Sequence, residues 1–104
     1  MAHQIEKWGA DKLIKRFEND ILYDCHSYHL KFERSDAKKE LVRRGREVLK
    51  TIIEHLHKKT PSGDLQVAWN NLLNMIEIQI DPDKTSPKDL RDTEGWISWA
   101  EKFV

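Results

Sequence analysis

The sequence predicts an all-α fold, a compact bundle of five or six helices. Three observations carry this expectation. Apolar residues recur at helical spacing in five separate stretches, the pattern of a helix that buries one face. Each stretch is bounded by capping or breaking residues, with Gly45 between two of them and Pro61, Pro82 and Pro87 in the connections. The strand-type alternation of Tyr28, Leu30 and Phe32 is short and has no visible partner strand elsewhere in the chain.

The first helix follows Trp8 and Gly9. Gly9 suits the N-cap, and Trp8 with Leu13 has the spacing of a hydrophobic staple. Leu13, Ile14, Phe17 and Ile21 form its inner face, and residues 1–8 are expected to be frayed up to Trp8. Residues 23–34 fit either a strand alternation or a helical stripe of Ile21, Cys25, Tyr28 and Phe32, and a second helix or an irregular continuation is expected there. Ser35 or Asp36 starts the next helix, with Ala37, Leu41 and Val42 on one face. Gly45 stops it and lets a further helix fold back, its stripe being Val48, Leu49, Ile52, Ile53 and Leu56. That helix ends near Lys59, before the turn residues TPSG. Asp64 is expected to cap the longest helix, with Leu65, Ala68, Trp69, Leu72, Leu73 and Ile76 on its inner face. Gln66, Asn70, Asn74 and Glu77 should face solvent. Residues 80–92 read as a polar loop. Thr93 should then cap a last helix, whose Trp96, Trp99 and Phe103 form its docking face.

The 104 residues fit one domain, spanning 1–104, and 38% hydrophobic residues suffice for one core. Basic and acidic residues balance at 18 each, so no overall field draws the chain to nucleic acid or anionic lipid. The balance is uneven along the chain: Lys31 to Lys50 holds eight basic and four acidic residues, Glu77 to Glu101 seven acidic and three basic. One cysteine, Cys25, excludes an internal disulfide and suits a reducing, cytoplasmic setting. No apolar run approaches the ~20 residues that span a bilayer, and the first residues do not form a secretory signal.

LVRRGREVLKTIIEHL resembles the helix–turn–helix of HEAT-type repeats through Leu41, Gly45, Val48, Ile52 and Leu56. DLQVAWNNLLNMI resembles the opening of a following repeat through Asp64, Leu65, Ala68, Trp69, Leu73 and Ile76. The resemblance covers about half the chain, departs from the family at Gln66 and Trp69, and leaves room for two repeats. It implies HEAT-like antiparallel hairpins and the scaffolding and protein-binding roles for which the family is known.

Several clusters were weighed for chemistry. Cys25, His26 and His29, with Asp24 or His3, are the densest group of metal-ligand types. They lack the second pair of a structural zinc site, so neither metal nor cofactor is expected. A Cys25–His29 thiol dyad lacks an orienting group. Asp81, Asp83, Thr85, Asp89 and Asp92 fall at EF-hand positions, but Ser86 replaces the required Gly and Asp92 the bidentate Glu. Lys38, Lys39, Arg43, Arg44, Arg46 and Lys50 surround the Gly45 turn. Glu40 and Glu47 interrupt them, which favours a solvated face or an acidic protein partner over nucleic acid. The expected function is therefore a small non-catalytic interaction module of scaffold or adaptor type. Arg43, Arg44, Arg46 and Lys50 would meet the partner. Alternatives are a nucleic-acid-associated factor using the same turn, and a small immunity- or antitoxin-like inhibitor.

Overall fold

A computed structural model describes residues 2–23 and 35–104. The ambiguous stretch 23–34 therefore lies, beyond the backbone of Tyr23, outside the described residues, as do Cys25, His26 and His29. Among the described residues the chain forms a 3₁₀ turn, Ala2–Lys7, and five α-helices: α1 Ala10–Tyr23, α2 Asp36–Arg44, α3 Arg46–Lys58, α4 Gly63–Ile80 and α5 Thr93–Glu101. The all-α bundle is what the periodicity predicts.

The expected inner faces of all five helices meet in one core. Leu13, Phe17, Ile21, Leu41, Leu49, Ile52, Trp69, Leu72, Leu73, Ile76 and Trp96 are each inaccessible to solvent. The radius of gyration, 12.8 Å, is that of one domain of this length. Phe17 meets Trp69 edge to face, with centroids 4.7 Å apart, so α1 and α4 lock at the centre.

Polar contacts fix the directions of the helices. Ser35 Oγ accepts from Lys38 N–H at 3.1 Å and donates to Asp20 Oδ2 at 2.8 Å. It therefore caps α2 and ties that end to the last turns of α1. At the other end, Arg44 of α2 donates to the carbonyls of Glu6 and Trp8, so α1 and α2 run antiparallel. Lys38 Nζ reaches Asn71 Oδ1 and Gln79 Nε2 reaches the Val42 carbonyl, which sets α2 parallel to α4. Arg46 Nε donates to the Phe103 carbonyl at 2.8 Å and holds the end of α5 against the start of α3.

Several local expectations are corrected. Residues 2–7 are not frayed in this structure: Ile5 is buried in the core, under the 3₁₀ turn that Arg44 holds. The longest helix begins at Gly63, with φ +59°, and Asp64 sits in its first turn instead of at its cap. The last helix is capped by Asp92, whose side chain accepts from Gly95 N–H at 2.9 Å. Thr93, expected as that cap, is buried, and its Oγ1 accepts from Gln66 and Asn70. Finally, α2 packs mainly on α1 and α4, and α3 mainly on α5 and α1. The two helices joined at Gly45 thus share α1 as a neighbour, and each has a second one of its own.

Candidate functional site

Each guanidinium beside the Gly45 turn already has partners within the chain. Arg43 Nε lies 2.7 Å from Glu40 Oε1, and Arg44 Nε lies 2.7 Å from Glu40 Oε2. Glu40 is itself buried, and hydrogen bonding from Arg43, then from Arg44, lowers its carboxyl to about 2 against burial, which opposes the shift. Arg44 has only 15% of its side chain exposed and also holds the N-terminal turn. Arg46 clasps Phe103. Lys38 is buried against Asn71. Lys50, on the outer face of α3, is exposed. The turn is therefore a junction where both ends of the described chain are fastened, and Arg43, Arg46 and Lys50 are the exposed members of its four expected contact residues.

The stretch with EF-hand spacing is built differently from an ion-binding loop. Asp81 is buried, and its carboxylate accepts from Asp83 N–H, Thr85 N–H, Thr85 Oγ and Trp99 Nε1. The bond from Trp99, followed by those from Thr85, drives its pKa well below the ordinary carboxylate range. A carboxylate whose lone pairs face four donors is a structural hub and has little left for a cation. Glu77, also buried, accepts from Ser86 N–H at 3.0 Å, with Lys88 Nζ 3.4 Å away. Lys84 and Lys88 both adopt positive φ, +52° and +71°, within this tightly bonded loop. Among the described residues no group of three metal-ligating side chains comes together.

One polar constellation had no signal in the sequence. Glu18 Oε2 accepts from Trp69 Nε1 at 2.8 Å and lies 2.8 Å from His55 Nε2. It joins α1, α3 and α4 at the rim of a cleft of about 320 Å³ lined by Asp11, Thr51, Glu54, His55 and Lys58. These residues are 18, 55 and 69 in sequence, and only the packing of three helices brings them together. A second cleft, of about 410 Å³, separates the end of α3 from α5, between Leu56, His57, Ile97 and Glu101. The aromatic stripe of α5 lies inward as expected, with Trp96 and Trp99 buried edge to face and Phe103 packed on Trp99.

The largest departure from expectation is on α4. Three of the four residues read as a solvent face, Gln66, Asn70 and Glu77, bond to the 80–92 loop, and Asn70 and Glu77 are buried beneath it. Asn70 is inaccessible, and its Nδ2 donates to the Leu90 carbonyl at 2.7 Å; Gln66 donates to the Arg91 carbonyl and to Thr93 Oγ1. The outward face instead carries Met75, 39% exposed, and Ile78, 68% exposed, one turn apart. Asn71, Asn74 and Gln79 flank them. Sequence periodicity marks two faces on a helix but does not say which is covered when the cover is a loop. No helix among the described residues is long and apolar enough to cross a membrane. No family model, no curated protein and no solved structure matches the chain, so this surface is read from its own chemistry.

Proposed function

We propose that the chain is a small interaction module that binds protein through a helix face and performs no catalysis of its own. The outward face of α4 carries this reading. A bulky aliphatic side chain left 68% exposed beside a half-exposed methionine, on a helix whose polar stripe is turned inward, has the character of a docking surface. A single cysteine suits work in the reducing cytoplasm. The nucleic-acid alternative rests on the basic turn, where Arg43, Arg44 and Arg46 are each bonded within the chain, and it receives less support. By the same measure the acidic-partner expectation narrows to Lys50.

Site-specific photo-crosslinking tests the proposal. A photoreactive residue at position 78 should give a protein-sized adduct in cells, while one at Lys50 or Lys58 should not. An adduct from Lys50 alone would move the surface back to the basic turn, and no adduct from position 78 would remove the α4 face from consideration.

A further inference from the structure

We propose that the cleft between the end of α3 and α5 is a docking site for an arginine side chain presented by a protein partner. The inference goes beyond the α4 reading, because it concerns a separate surface and other residues.

Shape makes the slot. On α5, Glu94, Ile97, Ser98 and Glu101 fall at i, i+3, i+4 and i+7 and so share one face. That face and the last turn of α3, through Leu56 and His57, line a cleft of about 410 Å³. The volume is ample for one long side chain. Leu56 from α3 and Ile97 from α5, both core side chains, form its apolar floor. Such a floor suits the alkyl stem of a basic residue, which covers apolar surface while its charged head stays at a polar rim.

Charge selects the sign of the occupant. Two carboxylates, Glu94 and Glu101, line the cleft, and no lysine or arginine does. Lys58, the last residue of α3, lines the other cleft instead. Glu94 lies in the first turn of α5 and Glu101 is its last residue, about 10 Å of helix further on. The two carboxylates thus stand at opposite ends of the floor. Among the described residues neither has a hydrogen-bond partner; His57 Nε2 stands 3.9 Å from Glu101 Oε2, beyond hydrogen-bond reach. The buried carboxylates Glu40, Glu77 and Asp81, by contrast, are each engaged within the chain. The C-terminal end of α3 adds the negative pole of its helix dipole on the same side. A cation entering the cleft therefore meets unused carboxylate lone pairs, and an anion meets repulsion from both ends.

Hydrogen bonding favours arginine over lysine. A guanidinium carries five N–H donors in a planar fork, so it can grip one carboxylate with two of them and still reach a further acceptor. The Ser98 hydroxyl, exposed between the two glutamates, supplies one.

The probe is a blocked glycyl-arginyl-glycine tripeptide, and its control is the citrulline counterpart, of the same shape but neutral. Titrated into the full ¹⁵N-labelled chain, the arginine peptide should move the amide signals of Ile97, Ser98 and Glu101 together. One side chain at a partly exposed site gives binding in the millimolar range, which this titration reads directly. Citrulline, Glu94→Gln and Glu101→Gln should each weaken it by about threefold. Should Glu94→Gln unsettle the first turn of α5, Glu101→Gln reads the same loss from the other end. Citrulline binding as well as arginine overturns the inference, as do glutamine variants that bind like the wild type. Equal shifts at the exposed acids Glu47, Glu54 and Asp64, which lie away from these two glutamates in sequence, would show general charge screening and overturn it too. Crosslinking from position 78 is untouched by all these results, so failure of one reading is visible apart from failure of the other.

Discussion

Gly45 has φ +54° and ψ −120°, a conformation that L side chains rarely adopt. Its N–H closes α2 on the Leu41 carbonyl, and its carbonyl accepts from Val48 N–H to begin α3. An added Cβ would also lie 3.2 Å from Gln79 Oε1, whose amide covers the end of α2. Gly45→Ala should therefore lower the urea midpoint by an amount worth about 1–3 kcal/mol; a neutral result would mean the backbone there relaxes freely. Just past the turn, the cations divide by role. Lys50→Glu is a surface change and should stay within about 0.5 kcal/mol, whereas Arg46→Glu removes the clasp on Phe103 and should cost measurably more. Equal melts for the two would show the clasp contributes nothing. Acid should act through Glu40. Its folded pKa of about 2 lies below the ordinary 4.5, so its stabilisation is complete above about 4.5 and is lost as pH falls through about 2. In a pH series of urea melts, Glu40→Gln should be destabilised at neutral pH, and its gap to the wild type should close across that window. A constant gap would exclude the ion pair as the source.

On the scale of elements, the legibility of the sequence depended on what covers each helix. Where helix packs on helix, as along Leu13–Ile21 or Val48–Leu56, apolar spacing alone identified the buried face, because the cover is itself apolar. Along α4 part of the cover is the 80–92 loop, which presents backbone carbonyls and N–H groups. The residues that satisfy those groups are Gln66, Asn70 and Glu77, so a buried face carries the composition of a solvent face. The Glu18–His55–Trp69 cluster was hidden for a related reason: no local pattern encodes a bond that spans 37 or 51 positions. The distinction is measurable at Asn70. If it faced solvent, Asn70→Leu would be neutral or slightly stabilising on a helix. Buried as it is, the change strips the Leu90 carbonyl of its donor and should cost about 1–3 kcal/mol. The loss should appear in thermal melts, and a raised midpoint would return Asn70 to the surface.

For the molecule as a whole, the question is whether the segment after α4 is an appendage or part of one cooperative unit. Helix α5 is joined to α4 by bonds from Gln66 and Asn70 to Thr93 and, at the C-cap of α4, from Trp99 Nε1 to Asp81, and to the loop before it by the bond from Trp96 Nε1 to the Asp89 carbonyl. Arg46 adds a tie to α3. Removal of residues 93–104 would uncover the α3 and α4 surfaces beneath two buried tryptophans and leave Asp81, Asn70 and Gln66 with unmatched groups in an apolar setting. An appendage would come off without effect on the rest; a shared core cannot lose two of its largest side chains and remain closed. The truncated chain should therefore give a broad, weakly cooperative melt or aggregate, while the full chain unfolds in one transition. A finer arm separates burial from bonding. Trp99→Phe keeps most of the ring and loses only the donor to Asp81, so it should melt lower but still cooperatively. If the truncated chain unfolds as sharply and at the same temperature as its parent, α5 carries no part of the core, and its aromatic stripe, not α4, becomes the first surface to test for a partner.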